Sequence, residues 1–161
     1  MEAAVEQRLA ALGLALPALT RTPPGARLPF AFVRVCGDRA YVSGHGPIQA
    51  DGSLARPLGK VGSDLTLEQG YEAARLTALG MLASLKAELG DLERIAGWLR
   101  VFGMVNSAAG FGSQPAVING FSDLILDVFG PERGRHARSA VGMAELPFGI
   151  PVEIEAEVLL R

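Results

Sequence analysis

Residues 151–160 (PVEIEAEVLL) alternate: Val152, Ile154, Ala156 and Val158 fall on one side of an extended chain, and Glu153, Glu155 and Glu157 on the other. Such a strand offers one face to a core and the other to polar surroundings. The remaining segments supply a sheet around it and helices for its apolar face. AFVRVC and RAYVSG, two β-branched and aromatic runs, flank Gly37-Asp38 as a hairpin. Residues 94–105 read as a buried strand. Residues 138–146 and 151–160 read as two strands joined by a short turn at Pro147-Phe148-Gly149. Thr66 and Gln69 form a capping box for a long helix whose stripe is Leu67, Tyr71, Ala74, Leu79, Leu82 and Leu85, ending at Gly90. Residues 115–130 have the pattern of a second amphipathic helix, with Pro115 at its start. A leading helix over 3–13 carries Val5, Leu9 and Leu12 on one stripe. A proline-interrupted linker follows it, and 45–62 forms an ordered Gly- and Pro-rich loop. The order β-β-α-β-α-β-β predicts an α+β fold, a mixed β-sheet with two helices on one face and an extra N-terminal helix. The division expected is 1–28, helix and linker, and 29–161, the main domain.

Composition narrows the partners. Of 161 residues 49% are hydrophobic and 20% charged, which excludes disorder. Mean hydropathy is +0.27, yet no apolar run approaches a membrane span. The excess apolar surface and a bare, apolar second sheet face point to burial between subunits. A net charge of −2 marks neither nucleic acid nor membrane as partner. The single cysteine, Cys36, and an N-terminus without basic-then-apolar order lead to a cytoplasmic expectation. His45, His136 and Cys36 are scattered, without the spacing of metal ligands, so no metal and no cofactor is expected. His136 reads as a surface or turn residue, and His45 as a structural one able to titrate in a cleft.

Three segments carry a more specific signal. ARSAVGMAELPFGIPVEIEA (137–156), YVSGHGP (41–47) and VING (117–120) occur in order and at compatible spacing. Together they resemble the RidA/YjgF family of reactive-intermediate deaminases, co-linearly over 29–161. The leading helix, the longer 45–62 loop and NSAAGFGSQP (106–115) are additions to the minimal family and mark a divergent, longer subgroup. The resemblance implies a chorismate-mutase-like fold and a homotrimer with clefts between subunits. It also implies hydrolysis of 2-imino acids to 2-keto acids and ammonia, a form of metabolite damage control that needs no cofactor.

By the same resemblance, Arg138 binds the substrate carboxylate, a task suited to a planar, permanently charged guanidinium. Glu153 assists the hydrolytic water, while Glu155 and Glu157 read as a solvated strand face. Ser43 and Gly44 lie beside the pocket, one a hydroxyl donor and the other a close backbone approach. Asn119 matches an asparagine of the second helix. Three positions depart from the family: Phe30 stands for a tyrosine and leaves only an aromatic wall, Ala140 stands for a cysteine, and His45 for a glutamine. A turn near Phe148 would pair Arg138 with residues 158–159, about 16–20 Å along the ladder from Glu153 at ~3.3 Å per residue. A neighbouring subunit would then supply one of the two. The alternatives are a non-catalytic carboxylate-metabolite binder, in which Arg138 still clamps an anion, and an endoribonuclease. Against the latter stand a pI of 5.7 and the absence of a basic-aromatic stripe.

Overall fold

A twelve-residue strand, Ile95–Asn106 (β3), and the alternating strand Val152–Leu160 (β5) form the middle of the sheet. In the computed structural model, which describes residues 5–161, β5 is hydrogen-bonded on both edges. It lies antiparallel to Arg39–His45 (β2) on one side and to β3 on the other. Val33–Cys36 (β1) closes one end of the sheet as a hairpin with β2, turning at Gly37-Asp38 as expected. Ala137–Met143 (β4) closes the other end and runs parallel to β3, so the order is β1-β2-β5-β3-β4.

This order corrects the reading of 138–146 and 151–160 as a hairpin. A helix between β3 and β4 provides the long crossover that parallel strands require, so β4 takes the outer edge of β3. The turn at 147–149 then returns the chain across the end of β3, and β5 enters between β3 and β2. Arg138 faces Val101 of β3 and has no partner on β5.

The apolar side of β5 (Val152, Ile154, Ala156, Val158) is buried beneath two helices, Leu67–Leu89 (α2) and Gln114–Gly134 (α3). Helix α2 begins at the anticipated capping box: the Thr66 hydroxyl accepts from the Gln69 N–H at 3.1 Å, and the Gln69 side chain accepts from the Thr66 N–H at 2.9 Å. Helix α3 is longer than the expected 115–130, because it runs past a break at Gly130 to Gly134. Trp98 of β3 packs edge-on between Phe121 and Phe129 of α3, each at 5.7 Å. The leading helix, Val5–Ala11 (α1), places Val5 and Leu9 in the same core, and the first residues of the 3–13 expectation lie outside those described.

The open face is amphipathic, which corrects the expectation of an apolar one. Across it Arg34 pairs with Tyr41, Glu157 with Arg100 and Glu155 with Phe102, and the Arg39 and Glu157 side chains approach to 4.0 Å. A hollow of about 220 Å³ between Tyr41, Ser43, Arg100 and Glu155 is therefore walled by both signs of charge. No helix among the described residues is long and apolar enough to cross a membrane.

Two glycines let α3 sit this low. A Cβ on Gly103 of β3 would lie 2.6 Å from Ile118, and one on Gly120 would lie 2.0 Å from the backbone oxygen of Tyr71 in α2. Backbone cannot rotate aside as a side chain can. Gly120→Ala is accordingly expected to cost at least ~3 kcal/mol or to prevent folding. Gly112→Ala, where no atom lies within 4 Å, should stay within about 1 kcal/mol of the parent protein. Urea midpoints of the two variants check the contrast.

Candidate functional site

The strand pattern puts Glu153 on the face of β5 away from the helices, level with Met104 of β3. Opposite it, β2 carries an irregularity between Val42 and His45, and Gly44 sits in that bulge. A Cβ on Gly44 would lie 2.1 Å from Glu153 Oε1. The missing side chain is what gives the carboxylate its room. Phe30 comes to the same place, exposed and edge-on to Phe32 at 5.5 Å. Phe30, Gly44 and Glu153 line one cavity of about 330 Å³ with Phe148 and Ile150, walled by the 20–32 linker and the loop after β2. Burial pushes the Glu153 carboxyl above its ordinary range, and the neighbouring Glu155 carboxylate adds to the shift.

His45 borders the cavity but turns no free nitrogen into it. Its Nδ1–H donates to the Ser43 carbonyl at 2.6 Å, since a carbonyl only accepts, and Nε2 accepts from the Ser84 hydroxyl at 2.9 Å. Burial lowers its pKa against the opposing Ser43 carbonyl, so the ring is neutral and structural. The Ser43 hydroxyl is also occupied, donating to the Ala31 carbonyl at 2.7 Å, and Ser43 lines the charged hollow of the open face.

Arg138 lies elsewhere. On edge strand β4 it turns to the helix side and reaches the first turns of α3. One nitrogen, Nη1, donates to Asn119 Oδ1 at 2.9 Å and to Ser122 Oγ at 3.1 Å, and Nη2 donates to the Pro115 carbonyl at 3.3 Å. Asn119 and Ser122 are three apart on α3 and so present both oxygens to one guanidinium. Ala140, two residues along β4, lies on the same side, opposite Gly103.

The group behind Ser122 was not legible in the sequence. His136 lies half-buried in the connection between α3 and β4: its Nδ1–H donates to the Gly134 carbonyl at 2.8 Å, which leaves Nε2 to accept from Ser122 at 2.9 Å. The Ser122 oxygen is thereby aimed at Arg138. Burial lowers the His136 pKa, the Gly134 carbonyl opposes this, and the Arg138 charge lowers it further. Only the spacing Asn119-x-x-Ser122, on the face of α3 turned to β4, could have hinted at this support.

Six of the seven predicted site residues thus form two groups, and Ser43, in the charged hollow, joins neither. Phe30, Gly44 and Glu153 meet on one side of the sheet, while Asn119, Arg138 and Ala140 meet on the other. Two strand spacings of ~4.8 Å and three residues of ~3.3 Å separate the Arg138 and Glu153 Cα atoms by ~14 Å, with the side chains on opposite faces. One chain cannot close both around a small molecule. Among the described residues, no three His, Cys, Asp or Glu side chains converge as a metal site would require.

Over residues 6–150 the chain matches the family model described as "YjgF/chorismate mutase-like, putative endoribonuclease". It belongs to the RidA/YjgF family. Protein TCP17 of Trypanosoma cruzi is 43% identical over 143 residues, covering 85% of this chain and 89% of its own length. The crystal structure of Atu1372, a protein with unknown function from Agrobacterium tumefaciens, is 40% identical with a TM-score of 0.87, covering 98% of this chain and 92% of that one. A putative endoribonuclease from Shewanella oneidensis MR-1 is 32% identical with the same TM-score of 0.87, covering 98% of this chain and 100% of that one. Both structures share nearly the whole of this chain.

In this RidA/YjgF chain the raised pKa of Glu153 is also a statement about stability. An unfolded glutamate titrates near ~4.3, whereas the native carboxyl holds its proton to higher pH. As pH rises through that interval the native state keeps a proton that the unfolded state has lost, so stability falls, and the penalty is fully present above it. Glu153→Gln should therefore melt higher than the parent at pH 7, and the difference should vanish near pH 4. Equal melting temperatures at pH 7 would show the carboxylate to be fully solvated.

Proposed function

We propose that this protein is a homotrimeric hydrolase of 2-imino acids whose site is completed by two subunits. The observation that carries the reading is the Glu153 carboxyl, half-buried in a largely apolar cavity, with Gly44 leaving room for it and its pKa raised toward the range useful for proton transfer. In the reaction, water adds to the imine carbon of R–C(=NH)–COO⁻. Glu153 takes the water proton and returns it to nitrogen, giving the carbinolamine; a second transfer, from its hydroxyl to the amine nitrogen, accompanies C–N cleavage and leaves ammonia and R–CO–COO⁻. Arg138 of a neighbouring copy holds the carboxylate. Of its five N–H groups three are bonded to α3, which fixes the plane, and Nε–H and one on Nη2 remain for the acid.

A second reading is favoured by the same three bonds. A guanidinium so thoroughly held by its own helix, beside Ala140 rather than a thiol, suits retention of a carboxylate metabolite without chemistry. The name endoribonuclease borne by relatives finds less support: the cavity is apolar, its carboxylate repels phosphate, and the net charge is −2.

Coupled hydrolysis of 2-iminobutyrate tests the reading. The wild type should turn over. Arg138→Ala should lose about a hundredfold or more in kcat/KM, and Glu153→Gln should lose 10²–10⁴-fold in kcat with little change in KM. Co-refolding the two inactive variants should restore activity, because a mixed trimer rebuilds an intact pair between chains. No turnover by the wild type, with 2-keto acids still bound through Arg138, would establish the binder. A monomer in sedimentation at micromolar concentration, or no recovery on mixing, would refute the shared site.

A further inference from the structure

We propose that the Glu153 cavity is a side-chain subsite, and that the acid this protein takes carries a bulky apolar group, aromatic or branched, rather than a methyl or ethyl. The inference rests on the functional reading above and adds the substrate class to it.

Four observations support it. First, exposed apolar side chains are concentrated there. Of the eight large hydrophobic residues exposed among those described, Leu28, Phe30, Leu54 and Phe148 line this one cavity. A folded chain leaves such a cluster open to water only where something apolar covers it.

Second, Phe148 is held in an unfavourable backbone conformation. Its φ of 59° is the one positive value at a non-glycine residue among those described, in a region where a β-carbon is penalised, and its side chain is 78% exposed. The turn that holds it is braced: Gly149 N–H donates to Leu146 O at 3.1 Å, and Gly149 O accepts from Gly59 N–H of the 45–62 loop at 2.7 Å. The backbone that carries this aromatic side chain is thus fixed at the cavity edge.

Third, the walls are preformed. The linker is tied to the loop by Ala18 N–H to Ala50 O at 2.9 Å and Arg21 N–H to Gly52 O at 3.0 Å. A Cβ on Gly52 would lie 2.2 Å from Leu19 O, so the two segments touch backbone to backbone. A rigid apolar hollow binds without an ordering cost.

Fourth, the cavity is lined mainly by apolar side chains, with Thr20, Arg21 and Thr22 of the linker as its polar members beside His45 and Glu153. Both His45 nitrogens are occupied, and Arg21 Nε donates to Asp51 O at 2.9 Å. The polar group it presents to a reacting carbon is Glu153, at one wall. A volume of about 330 Å³ exceeds what a methyl group fills and lies within the range of small-molecule sites.

Calorimetry with pyruvate and phenylpyruvate on the intact protein tests the subsite. Phenylpyruvate should bind at least about tenfold more tightly, and Phe148→Ala should abolish most of that advantage while leaving pyruvate affinity within about twofold. Sedimentation and melting of the variant are read alongside, and Phe148→Leu, which keeps an apolar side chain at the same position, should retain most of the advantage. Equal affinities, a preference for pyruvate, no binding of either acid, or an advantage that survives Phe148→Ala would each overturn the subsite. Imine turnover is read separately. Selectivity for phenylpyruvate without turnover of any imine leaves the subsite standing and removes the deaminase, and turnover without selectivity does the reverse.

Discussion

A strand hydrogen-bonded along both edges has no freedom of register, and β5 is that strand here. Its pairing with β2 and β3 sets which side of the sheet receives Val152, Ile154, Ala156 and Val158, and a slip of one residue would bury three glutamates under α2 and α3. The same pairing brings Glu153 beside the bulge in β2, where Gly44 leaves it room. The helix side and the cavity are thus two consequences of one alignment. Apolar residues hold the strand, and the carboxylate goes where that alignment takes it.

Much of this could be read in advance because it is local. The capping box at Thr66, the turn at Gly37-Asp38 and the alternation along β5 each lie within a few residues of what they determine. The partner of β4 could not be read in this way. Two short strands separated by a tight turn look like a hairpin, and only the competing claim of β3, reached through α3, shows otherwise. The open face was misjudged for a related reason. Arg34, Arg100 and Tyr41 belong to three different strands, and their meeting on one surface with Glu155 and Glu157 follows from the strand order, which periodicity does not contain.

The candidate site shows the same division. Motif resemblance pointed to Arg138, Asn119 and Glu153, and Arg138 and Asn119 do bond to one another. The expected hairpin, not the motif, separates Arg138 from Glu153 within one chain, but by the wrong geometry. The expected cause was an offset along a shared ladder. In the folded chain they are on opposite faces and two strands apart. Ser122 and His136 were beyond reach because their part is indirect: each orients the next group toward Arg138, and residue type alone does not show such a chain.

Where local preference and folded structure disagree most is informative about use. A glutamate that burial makes reluctant to ionise, a phenylalanine with positive φ at the surface and a glycine kept bare for a carboxylate would each be poor choices for stability alone. All three adjoin one cavity. Arg138, by contrast, is in good order by every local measure, with its bonds to α3 made and its plane fixed. That contrast fits the division of labour proposed between two chains, in which one would present a settled cation and the other a carboxyl group held under tension, with a small acid bridging them.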